Sequence, residues 1–81
     1  MKDGIEQLVP AVEQQISSPE TPYVARTFQR LLTDPAIDEH EAKLMLALCL
    51  ADESEAMVQQ KRDFNVSRYC DLLDLLPKLP G

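Results

Sequence analysis

The sequence predicts an all-α fold, a compact single-domain array of four helices that is either orthogonal or bundle-like. Gly4 and Gly81 are the only glycines among 81 residues, and no stretch alternates polar and apolar side chains as a strand does. Apolar residues instead recur at spacings of three and four, in segments that six prolines separate. We therefore expect one domain over 1–81, with helices at about 4–17, 22–33, 39–60 and 66–76.

The first predicted helix carries one apolar stripe with a proline inside it. The stripe comprises Ile5, Leu8, Val9, Val12 and Ile16. Asp3 and Glu6 resemble a capping box at its start. Pro10 removes a helical hydrogen bond, so the helix either kinks there or begins near it. We favour a kink, because the stripe continues in phase across the proline.

The second predicted helix begins with a cap followed by a proline. Thr21 as N-cap and Pro22 at the first helical position fit the usual helix start. Arg26 and Arg30 lie one turn apart and could bind a carboxylate or phosphate, although an ordinary charged surface is the simpler interpretation. The helix ends before Pro35, which biases Asp34 out of the helical region.

The third and fourth predicted helices also carry start signals. Asp38 and Glu41 form a second capping box, and the helix that follows has an apolar surface broad enough for a central position. Its acidic run at 52–55 is expected to face solvent. Asn65 caps the last helix, where Phe64 is placed to pack on Tyr69.

Composition and charge exclude several classes of partner. Eight basic and fourteen acidic residues give a net charge of −6, which argues against nucleic acid and anionic membranes as partners. No apolar run is long enough to span a bilayer, and no export signal follows Met1. Cys49 and Cys70 lie in apolar surroundings and are expected to be reduced thiols, and the less favoured alternative is a disulfide in an exported protein. Because no export signal is seen, a cytoplasmic location is expected.

Candidate chemistry is sparse, and we predict a protein that is not an enzyme and has no cofactor. A zincin-type site needs a second histidine one turn after His40, but position 44 is leucine. The alternative is a metal-binding protein that uses His40 with Glu41 and with Glu13 from the first helix. Catalytic zinc normally has three protein ligands, so a solvated first turn is the simpler interpretation.

Several short motifs resemble the helical half of an uncharacterised bacterial protein family. They are Glu13-Gln14, Pro22-x-Val24, Arg30-Leu31-Leu32 and Asp38-x-His40-Glu41-Ala42, spread over about residues 8–76. The resemblance implies a bacterial helical protein in which Glu13, His40 and Glu41 form a polar cluster between helices. Gly4, Leu8 and Leu44 stand where that family has further histidines, so the resemblance implies no activity here.

The leucine-rich end of the chain is the most informative functional feature. Leucines there cover more than one helical face, so one face can close the core while another stays exposed for interaction. The alternative is that a small core buries both faces. We predict a protein-interaction or regulatory module that binds a protein partner or a second copy of itself. The predicted contact residues are Phe64, Tyr69, Leu72, Leu75, Leu76 and Leu79.

Overall fold

The structure, a computed structural model, describes the backbone of residues 2–80 and the side chains of residues 4–80. Within that range it contains five α-helices and no strand, which confirms the predicted all-α fold. The helices are α1 (Lys2–Glu6), α2 (Val9–Ser17), α3 (Pro22–Leu32), α4 (Glu39–Gln60) and α5 (Val66–Leu75).

The expected kink at Pro10 is wrong, because the first predicted helix is broken rather than bent. A turn at residues 7–8 separates α1 from α2, and Pro10 lies in the first turn of α2. A proline is tolerated there because the first amides of a helix have no intrahelical acceptor. The Asp3 and Glu6 pair falls within α1 instead of preceding it, and the Asp3 side chain lies outside the described residues.

The other three predicted helices lie where the sequence places them, within a residue at each end. The Asp38 carboxylate accepts a hydrogen bond from the Glu41 amide at 2.8 Å, and the Glu41 carboxylate accepts one from the Asp38 amide at 3.4 Å. Asn65 accepts from the Arg68 amide at 3.0 Å. Thr21 differs from its predicted role, because its hydroxyl donates to the Gln15 carbonyl at 2.7 Å and does not cap α3.

Helix α4 is the centre of the fold, since it contacts α1, α2, α3 and α5. Helix α3 packs on α2 and α5 as well, so α5 is held by α3 and α4 together. The buried apolar core draws side chains from four helices and the residue after α5. It comprises Val12, Val24, Phe28, Leu31, Ala42, Leu46, Ala47, Cys49, Leu50, Tyr69, Leu73 and Leu76.

Candidate functional site

The six predicted contact residues divide into three levels of exposure. Tyr69 and Leu76 are 0% and 2% exposed and belong to the core, which corrects their assignment to a partner-binding surface. Phe64 and Leu72 are half-buried against that core. Leu75 and Leu79 are exposed, at 57% and 51%. The candidate apolar surface is therefore smaller than predicted and centres on Leu72, Leu75 and Leu79, which we call the C-terminal leucine surface.

Helical geometry explains this division. Tyr69, Leu73 and Leu76 are spaced by four and three residues, so they share the face that α5 turns toward α3 and α4. Leu72 and Leu75 are three residues apart and therefore share a different face, which is rotated away from α3 and α4. After α5 ends, the Lys78 amide donates to the Leu75 carbonyl at 2.9 Å, and this turn leads to Leu79.

Charge around the C-terminal leucine surface is mixed and mainly acidic. Asp71 lies one helical turn before Leu75, and Asp74 directly precedes it; both are exposed. Lys78 is exposed in the turn that follows α5. Two exposed carboxylates therefore lie beside the exposed leucines in sequence.

The structure does not bring His40, Glu41 and Glu13, the residues of the metal alternative, together as a group of ligands. Glu13 forms an ion pair with Lys43, with 2.9 Å between carboxylate oxygen and Nζ, and this contact raises the pKa of Lys43. Glu41 belongs to the capping box of α4, and His40 is exposed in the first turn of that helix. Across the described residues, histidine, cysteine and acidic side chains form no group of three or more suited to a metal ion. No observation supports the metal alternative.

Glu53 belongs to the acidic run at 52–55 that was expected to face solvent, and for this residue the expectation is wrong. Its side chain is fully buried in α4. Arg62 donates two hydrogen bonds to its carboxylate, at 2.6 and 3.0 Å, and Arg68 donates a third at 2.9 Å. The Asn65 amide donates at 2.7 Å. Arg68 also pairs with Asp52 at 2.6 Å, so this Glu53 cluster ties α4 to the loop at 61–65 and to the start of α5.

Electrostatics within the Glu53 cluster follow from these bonds. The hydrogen bonds from Arg62 lower the pKa of Glu53 to about 2, with further contributions from the Asn65 amide and Arg68, although burial acts in the opposite direction. The same contacts raise the pKa of both arginines. The sequence holds one signal for this cluster. Glu53 follows Cys49 and Leu50 by four and three residues and so lies in phase with the apolar stripe.

A cleft of about 220 Å³ lies between α3 and α5. Its lining residues are Tyr23, Arg26, Thr27, Arg30, Cys70, Leu73 and Asp74. Arg30 donates to the carbonyls of Leu73 and Leu76 at 2.9 and 2.8 Å, so the second of the two arginines on α3 binds the end of α5. The cleft therefore lies where α3 is fastened to α5.

The two cysteines are free thiols in different environments. Cys49 is fully buried in α4, and burial raises the pKa of its thiol to about 11. Cys70 is half-buried in the cleft. Partial burial and the carboxylates of Asp74 and Asp71 raise the pKa of Cys70, and the Arg26 guanidinium opposes them. Neither thiol has the lowered pKa of a catalytic nucleophile.

The chain matches no family model, no curated protein and no solved structure. The resemblance to a bacterial helical family therefore stays an expectation, as does the polar cluster that it implies. In the part of the chain that the structure describes, no helix is both long and apolar enough to cross a membrane.

Proposed function

We propose that this protein is a small non-catalytic module that binds a protein partner through the C-terminal leucine surface. The observation that carries the proposal is the exposure of Leu75 and Leu79, at 57% and 51%. The other large apolar residues of α5 that follow Val66 are buried or half-buried. Leu72 is half-buried beside them and continues the surface toward the core. Binding of a partner to this surface is favourable, because it removes apolar side chains from water.

Charge complementarity selects the kind of partner. The net charge of −6 and the exposed Asp71 and Asp74 favour a partner with basic side chains around an apolar ridge. An amphipathic helix bearing Lys or Arg beside its apolar residues meets both requirements. Two copies of this chain would instead bring like charges together, so self-association is the less favoured form of the proposal. The same negative charge disfavours nucleic acid.

A cytoplasmic location belongs to this proposal. Both cysteines are free thiols, and Cys70 is half-buried rather than enclosed. Free thiols persist in a reducing compartment, where disulfides are rare. A partner in the same compartment would have access to the C-terminal leucine surface.

Capture experiments with matched variants test the proposal. The tagged wild-type protein and the Leu75→Asp and Val58→Asp variants are each used to capture partners from lysate of the source organism. Val58 is 70% exposed near the end of α4, so it controls for loss of any exposed apolar residue. We expect a partner that wild type and Val58→Asp retain and Leu75→Asp loses, while circular dichroism shows all three folded. The purified partner should then bind directly through a basic amphipathic helix.

Two results would refute the proposal. One is equal binding of the partner by wild type and by folded Leu75→Asp. The other is a partner that binds with its basic helix deleted. A dimer by light scattering that Leu75→Asp dissociates would support the same surface but replace the partner with a second copy of the chain.

A further inference from the structure

The cleft between α3 and α5 presents opposite charges on its two walls. Arg26 lines it from α3 and Asp74 from α5, and both residues are exposed. They do not form an ion pair with each other, and neither has a hydrogen bond or ion pair to any residue within 4–80. By contrast, Arg30, Arg62 and Arg68 each bind a carbonyl or a carboxylate. Arg26 and Asp74 thus remain available to a ligand.

The walls of the cleft are held in place by hydrogen bonds that do not involve Arg26 or Asp74. Arg30, one turn after Arg26, fastens α3 to the carbonyls of Leu73 and Leu76. The Thr27 hydroxyl donates to the Tyr23 carbonyl at 2.8 Å, so it is satisfied within α3. A cleft whose width is already fixed loses less conformational entropy when a ligand binds.

Size limits the ligand to a small molecule. The volume of about 220 Å³ is below the ~300–1,000 Å³ typical of pockets for drug-sized ligands. The lining also includes the half-buried Tyr23, which offers apolar surface, whereas Leu73 is only 1% exposed. A ligand that fits therefore carries a negative group, a positive group and a short apolar portion.

We propose that this cleft binds a free amino acid with an apolar side chain. The α-carboxylate would accept hydrogen bonds from the Arg26 guanidinium, whose planar shape suits a carboxylate. The α-ammonium group would donate to Asp74. The apolar side chain would lie against Tyr23. The leucines of the proposed partner surface, Leu72, Leu75 and Leu79, do not line the cleft, but Asp74 borders both sites.

Titration with leucine and two truncated analogues tests the proposal. Leucine has both charges, 4-methylpentanoate has only the carboxylate, and isoamylamine has only the ammonium group. Amide chemical shifts of the isotope-labelled full chain are followed by NMR. We expect saturable shifts at residues 23–30 and 70–74 with leucine, and binding weaker by roughly two- to fivefold with each analogue. Shifts that do not saturate, or equal affinity for all three compounds, would overturn the proposal.

Variants assign the two charges. Arg26→Gln and Asp74→Asn should each weaken leucine binding by roughly two- to fivefold. Asp71→Asn is the matched control, since it removes an exposed carboxylate from α5 at a residue that does not line the cleft. Equal losses in Asp71→Asn and Asp74→Asn would contradict the assignment, because they would reflect net charge alone.

Alkylation of Cys70 gives a second readout that does not depend on chemical shifts. The Cys70 thiol lines the cleft, whereas Cys49 is fully buried and serves as an internal reference. Leucine should slow the reaction of Cys70 with iodoacetamide in wild type, and in Arg26→Gln the same slowing should require a several-fold higher leucine concentration. An unchanged Cys70 rate at a leucine concentration that saturates the NMR shifts would place the ligand elsewhere and overturn the proposal.

Discussion

At the scale of the residue, Glu53 is the one buried carboxylate among the residues that the structure describes. A buried carboxylate is unfavourable unless hydrogen bonds and opposite charges replace its hydration. Here Arg62, Arg68 and the Asn65 amide supply four hydrogen bonds to its two oxygens. No buried side-chain polar atom of the described residues lacks a partner. The conformation of the loop at 61–65 is therefore defined by the hydrogen bonds that Arg62 and the Asn65 amide donate to Glu53 of α4.

Replacing this carboxylate tests that role. Glu53→Gln keeps the size of the side chain, but it removes the charge and leaves Arg62 and Arg68 facing a neutral amide. We expect the thermal unfolding midpoint to fall by roughly 10 °C. Glu55→Gln is the control, because Glu55 is exposed on the same helix and accepts one bond, from Gln59. Its midpoint should change by no more than about 3 °C. Similar midpoints for the two variants would show that the Glu53 cluster contributes little.

The pH dependence of stability follows from the same residue. Glu53 has a pKa of about 2 in the folded protein, below its ordinary value of 4.5. The folded state therefore favours the carboxylate, so its contribution is complete above about pH 4.5 and is lost as the pH falls toward 2. Urea unfolding of wild type should show a free energy that declines across this interval. In Glu53→Gln the decline should be shallower, and identical slopes would contradict the assignment.

At the scale of the element, Arg30 joins two helices without an acidic partner. The last carbonyls of a helix have no intrahelical donor, and cationic side chains stabilise them. The Arg30 guanidinium crosses from α3 to the carbonyls of Leu73 and Leu76 at the end of α5. This contact fixes where α5 ends relative to α3. It also explains why the two arginines of α3, one turn apart, have different surroundings.

Removing the guanidinium should loosen the end of α5. Arg30→Gln is expected to lower the free energy of unfolding by about 1–2 kcal/mol, since two charge-assisted hydrogen bonds to partly exposed carbonyls are lost. Amide hydrogen exchange should accelerate at residues 73–78 more than in α2. Arg26→Gln removes the same charge one turn earlier without breaking a bond to the described residues, so its exchange pattern should match wild type. Faster exchange spread evenly over all helices in Arg30→Gln would contradict this local role.

Sequence patterns predicted the helices where local chemistry decides the backbone. Asp38 and Asn65 cap their helices because a side-chain oxygen beside the first turn can accept a nearby amide hydrogen, and this requires only local geometry. The break before α2 was missed because apolar periodicity continues across it. At the end of α4, the residue in the left-handed conformation is Lys61, with φ of 53°, and not the glycine that usually marks a helix end.

The candidate sites were harder to predict because they depend on how distant segments pack. Tyr69 and Leu75 are both apolar positions of α5, and only the docking of that helix on α3 and α4 buries the first and exposes the second. Glu53 meets Arg62 and Arg68 at separations of nine and fifteen residues, which no helical spacing rule covers. The cleft likewise joins Arg26 to Asp74, which are far apart in sequence.

At the scale of the whole molecule, Tyr69 lies where the longer helices meet. Its hydroxyl donates to the Gln15 side chain of α2 at 2.8 Å. Its ring packs edge-on against Tyr23 of α3, with 6.1 Å between ring centroids, and against Phe64 at 5.4 Å. Phe64 lies in the loop that leads from α4 to α5. One buried side chain thus connects helices that are separated in sequence.

Tyr69→Phe tests this connection, because it keeps the ring and removes the hydroxyl. At neutral pH it should lower the free energy of unfolding by about 1 kcal/mol, since the Gln15 oxygen loses its donor. Burial raises the pKa of Tyr69 above its ordinary value of 10.0, and nearby Cys49 and Tyr23 act in the same direction. The folded state thus favours the protonated phenol, so its contribution is complete below about pH 10 and is lost as the pH rises further.

The difference between the free energies of unfolding of wild type and Tyr69→Phe should therefore shrink as the pH rises above 10. Urea unfolding between pH 7 and pH 12, about two pH units beyond the ordinary tyrosine pKa, measures both curves. Above pH 10 the wild-type free energy of unfolding should fall more steeply than that of Tyr69→Phe. Tyr23→Phe is the control at neutral pH, where its stability should match wild type, because Tyr23 is only half-buried and its phenol makes no hydrogen bond within residues 4–80. If wild type and Tyr69→Phe stayed parallel above pH 10, Tyr69 could not be the buried phenol that resists ionisation.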